Sequence, residues 1–132
     1  ALRTITDRIY ALADETNDIR KIVRGIVEFI IESAATNRSK HKFLIMLLND
    51  FSGEINPDIR ERIRSIGDTL IAVGRKNNVL RDDTSVEDLY IALVGIPMQY
   101  LASRYKFGFG DETGDQRRLI EKITAISLSA IQ

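Results

Sequence analysis

The stretch 84–105, TSVEDLYIALVGIPMQYLASRY, constrains the fold more than any other part of the chain. It opens with the T-x-x-E spacing of a capping box at Thr84 and Glu87, in which each side chain satisfies the other's free backbone N–H. Two apolar seams follow. Val86, Tyr90, Leu93, Pro97 and Tyr100 recur at 4-3-4-3, and Ile91, Val94, Met98, Leu101 and Tyr105 recur at 3-4-3-4. Neighbouring residues on a helix lie about 100° apart, so Leu93 and Val94 put these seams on different faces. A surface helix buries a single stripe. Two stripes predict a helix covered on both sides, one by the chain's own core and the other by a second copy of the chain. Within the stretch, Pro97 removes a helical hydrogen bond and crowds the turn before it, which predicts a kink and a freed carbonyl near residue 93.

The rest of the chain supplies five further helical segments. Leu2, Ile5, Ile9 and Leu12 predict a helix over Leu2–Asp14, and Thr16-Asn17-Asp18 break it and cap the next. Ile19, Ile22, Val23, Ile26, Val27 and Ile30 form the inner face of a helix over Ile19–Ala35, with Phe29 and Ile31 widening its arc. The apolar run Phe43–Leu48 is rich in Leu and Met and has no partner strand, so it reads as a buried helix over Ser39–Phe51. Asn56, Pro57 and Asp58 start a fourth helix, in which Ile59, Ile63, Ile66, Leu70 and Val73 carry the seam to about Lys76. The last helix spans Asp115–Ala130, with Leu119, Ile123, Ile126 and Ala130 on one seam. The expected fold is all-α, a single six-helix domain over residues 1–132.

Several function classes are excluded by the totals. Nineteen basic and nineteen acidic residues cancel, whereas nucleic-acid binders carry a basic excess. No apolar run approaches the roughly 18 residues of a membrane span. The absence of cysteine removes disulfides and thiolate metal sites and fits a cytoplasmic location. His41 is the single histidine, with lysines on both sides, and no catalytic spacing accompanies it. Gly108, Gly110 and Gly114 follow a helix and not a strand, so they form a loop and not a dinucleotide cradle. Arg60, Arg62 and Arg64 point in different directions on a helix and read as solvated surface. The sequence implies no catalytic residue, no metal and no cofactor.

The segment VGRKNNVLRDDTSVEDLYIALVG, Val73 to Gly95, resembles the effector-binding domain of TetR-type transcriptional repressors. Leu80-Arg81-Asp82 matches the family's short link after a long helix, Thr84 or Ser85 its cap, and Gly95 its mid-helix glycine. Asn78 stands where the family often has glycine. The resemblance implies a ligand-sensing regulatory domain that dimerises through its last two helices as a four-helix interface. It also implies that DNA is contacted only through an N-terminal helix-turn-helix domain, which this sequence does not contain. The implied partners are a second copy and a small apolar effector, with Leu2–Asp14 as the joining helix. Candidate pocket residues are Phe29, Phe43, Met46, Leu70 and Met98, with Gln99 and Tyr105 as polar contacts. The two methionines read equally as core filling. Candidate interface residues are Tyr90, Leu93, Pro97, Tyr100, Leu119, Ile123, Ile126 and Ala130. The competing expectation is a helical protein-interaction scaffold with no pocket.

Overall fold

Side-chain chemistry sets the helix boundaries. The computed structural model of the chain describes residues 2–39, 42, 57–77, 79–108 and 116–132. All regular structure among them is helical. The helices are α1 (Leu2–Glu15), α2 (Ile19–Thr36), α3 (Pro57–Lys76), α4 (residues 86–107) and α5 (Gln116–Ser129). The helix expected over Ser39–Phe51 lies outside the described residues, apart from residues 39 and 42, which are helical. Among the described residues, no helix is long and apolar enough to cross a membrane.

Helix α2 is the centre of the packing. Its start is fixed by Asp18, whose carboxylate accepts the Arg20 N–H at 3.0 Å, while the Asp18 N–H donates to the Thr16 hydroxyl at 3.1 Å. Paired positions Ile22-Val23, Ile26-Val27 and Ile30-Ile31 give it an apolar arc wider than one seam, and all six residues are buried. That width lets it touch α1, α3, α4 and α5. The 84–105 stretch, expected to be the organising element, packs around α2 instead.

Helix α4 is interrupted. An α-helical turn, Val86–Tyr90, leads into a π-helical turn, Ile91–Gly95, and then into the α-helix Ile96–Phe107. Pro97 explains the interruption. It has no N–H, and in a regular helix its ring would press on the Leu93 carbonyl. The wider turn, in which the Ile96 N–H donates to the Ile91 carbonyl five residues back, accommodates it. A π turn also carries one extra residue, so the inward face shifts by one position. Leu89 is buried before it, Ala92, Leu93 and Val94 within it, and Pro97, Met98 and Leu101 after it. Both seams therefore turn residues into the chain's own core, Leu93 and Pro97 from one and Val94, Met98 and Leu101 from the other. Seams buried in this way do not by themselves call for a second copy.

The cap of α4 also differs from expectation. Ser85 and Asp88 form the reciprocal pair: the Asp88 N–H donates to Ser85 Oγ at 3.1 Å, and the Ser85 N–H to Asp88 Oδ2 at 2.9 Å. Thr84 is buried, and its hydroxyl donates to the Ile131 carbonyl at 3.4 Å. The same end of the molecule explains the link before it. Leu80 packs on Gly74 so closely that a Cβ there would lie 2.3 Å from Leu80 Cδ1. The Arg81 N–H donates to the Ile131 carbonyl at 2.9 Å, and Arg81 Nη2 to the Ala130 carbonyl at 2.6 Å. A cation thus holds the exposed carbonyls at the C-terminal end of α5, where the helix dipole favours it.

Candidate functional site

An apolar crevice runs between three helices. Ile9 of α1 contributes to its lining. Ile63, Ile66, Gly67 and Leu70 of α3 form one wall; Val86, Leu89, Tyr90, Leu93 and Val94 of α4 form the other. The walls follow from the seams: the 4-3 spacing that puts Ile63, Ile66 and Leu70 on one face of α3 meets the same spacing at Val86, Tyr90 and Leu93. Gly67 sets their separation, because a Cβ at this position would lie 2.4 Å from Val86 Cγ1. The crevice measures about 480 Å³ with the open solvent at its mouth included, and the space it offers a guest is about 40 Å³. Drug-sized ligands occupy sites of about 300–1,000 Å³, so such a guest must part α3 from α4.

Its lining is aliphatic except for the Tyr90 phenol, whose pKa is raised by burial. Next to Ile9, α1 and α3 are joined by an ion pair between Asp7 and Arg62, and the Arg62 guanidinium lies 5.4 Å from the Tyr10 ring centroid. Arg62 is therefore half-buried at a helix contact, not solvated surface as expected, while Arg60 and Arg64 are exposed.

Of the residues expected to bind a ligand, Leu70 lines the crevice. Met98 is 4% exposed and belongs to the core, which is the reading its polarizable, adaptable side chain allowed. Phe29 is half-buried against the same core, and Gln99 is exposed on the outer side of α4. Tyr105 lies on the helical backbone of α4, with its side chain outside the described residues, as are Phe43 and Met46. The interface set divides. Tyr90 and Leu93 line the crevice. Leu93, Pro97 and Ile123 are buried within their own chain, so they present nothing to a second copy. Tyr100, Leu119 and Ala130 are half-buried against the core, and Ile126 is 38% exposed. Of the other crevice residues, Ile9, Ile63, Ile66, Val86 and Val94 were read as seams without a function, and Leu89 was not singled out. Their shared spacing was the signal that two seams meet.

A second groove between α2 and α5, lined by Arg24, Glu28, Glu32, Gln116, Arg117 and Ile120, is mixed in charge. Its ions neutralise one another: Arg24 lies 3.1 Å from Glu28 and 3.9 Å from Glu121, and Arg117 lies 3.6 Å from Glu121. Exposed pairs of this kind contribute little to stability. No known family, curated protein or solved structure matches the chain.

Proposed function

We propose that the chain is the ligand-sensing regulatory domain of a TetR-type transcriptional regulator, with the crevice as the effector site and α1 as the output. The observation that carries this reading is that an aliphatic crevice is walled by α3 and α4 and lined in part by Ile9 of α1. A small apolar molecule inserted there separates α3 from α4 and displaces α1, the element expected to join a DNA-reading domain. Such a ligand works only through its differential affinity for the opened arrangement. Thermal melting with and without benzene tests the site: a rise in Tm that Leu70→Phe abolishes supports it, and no rise at saturating benzene rejects it.

The domain works as a homodimer in this reading, through a face other than the one expected. Ile91 is 50% exposed and Ile126 38% exposed. Helical spacing puts Glu87 and Gly95 beside Ile91 on the outer side of α4. Light scattering checks it: Ile91→Glu gives monomers, and a persisting dimer rejects the face. The second reading, a scaffold without a ligand, is favoured by the 40 Å³ guest space and predicts no response to benzene at all.

A further inference from the structure

We propose that Arg62 is a latch between α1 and α3, and that a guest in the crevice acts on α1 by releasing it. The latch residues interleave with the crevice residues. On α1, Asp7 and Tyr10 flank Ile9; on α3, Arg62 immediately precedes Ile63. Arg62 pairs with Asp7 and lies over the Tyr10 ring, so one side chain on α3 grips two on α1. The same two helix segments therefore carry both part of the crevice lining and the contact that joins α1 to α3.

The latch is built to be opened. Arg62 Nε is buried with no hydrogen-bond partner among the described residues. A donor that has left water without finding an acceptor destabilises the closed contact and regains its hydrogen bonds when the contact opens. The Asp7 carboxylate is 59% exposed and the Arg62 side chain 28% exposed, so water and salt reach the pair. Closed and released positions of α1 are thereby brought close in free energy, which lets a modest ligand preference choose between them. The coupling rests on the crevice being a ligand site; the latch itself does not.

Hydrogen–deuterium exchange on the whole chain separates the two. Arg62→Met is expected to speed exchange of the α1 amides by about tenfold while leaving those of α5 unchanged. Asp7→Asn, which removes only the exposed charge, gives a smaller change in the same direction. Raising salt to about 1 M speeds α1 exchange in the unaltered chain and not in Arg62→Met. Unchanged α1 exchange in both variants overturns the latch, and so does equal loosening of every helix. Benzene then tests the coupling: it speeds α1 exchange in the unaltered chain and adds nothing in Arg62→Met. An equal response in both proteins overturns the coupling. No response in either rejects the ligand site and leaves the latch standing on the ligand-free result.

Discussion

Helices α2 and α4 are both rich in aliphatic residues, yet they use them differently. In α2 the apolar arc keeps one direction over 18 residues, with the charged residues Arg20, Lys21 and Glu32 left exposed. In α4 the inward direction changes at Ile91–Gly95, and both seams supply residues that face the core, Leu93 and Pro97 from one and Val94, Met98 and Leu101 from the other. A helix that keeps its register declares how many neighbours it has. One that changes register midway looks two-sided without being so. Wide arcs mark the centre of a helical core; doubled seams mark a break.

The largest expected effect breaks this contrast at its firm end. Ile26 is 1% exposed in the middle of α2, and Ile26→Ala should destabilise the fold by about 2–5 kcal/mol in urea denaturation, because little can collapse into the space. A loss under about 1 kcal/mol would place the core elsewhere. A middle-sized effect sharpens the other end. Gly67→Ala forces a methyl group into Val86 and should cost about 1–3 kcal/mol, with part of the loss restored by adding Val86→Ala. No restoration means that α3 and α4 do not meet there.

The smallest effect tests where α4 begins. Ser85→Ala should cost about 1 kcal/mol and Thr84→Ala should not act as a cap mutation. The Asp88 carboxyl is held below its usual value, first by the Ser85 backbone N–H and then by the Ser85 hydroxyl. A lowered carboxylate pKa adds stability that is present above the unfolded value and lost as pH falls through the folded one. Asp88→Ala should therefore be less stable than the unaltered chain at neutral pH, and the gap should close in acid below the ordinary aspartate range. A gap that is the same at both pH values would remove Asp88 from the cap.

These contrasts also separate what the sequence could reveal from what it could not. The break at Thr16–Asp18, the start of α3 at Pro57 and the seam of α2 were all legible, because each is local chemistry expressed within one turn. The irregularity at Pro97 was legible as a place but not as a form: missing N–H groups predict trouble, and whether a helix kinks or widens depends on what packs against it. The cap moved from Thr84 to Ser85 because Thr84 is engaged by Ile131, a residue 47 positions away that no local pattern reports. Arg81 carried the family resemblance, but its grip on the Ala130 carbonyl is equally tertiary. The crevice was half legible. Leu70 was named for it, and Tyr90 and Leu93 were assigned to an interface because the register change hid which side of α4 faces α3.

Leu93 decides between the two ways of reading α4. It is 3% exposed within its own chain and lines the crevice. The direct measurement is urea denaturation of Leu93→Ala against the unaltered chain at two protein concentrations a hundredfold or so apart. The expected result is a loss of about 2–4 kcal/mol that is the same at both concentrations, the mark of a residue buried in one chain. A loss that appears only through a weakened, concentration-dependent transition would put Leu93 between two copies, and the burial of both seams within one chain would be wrong.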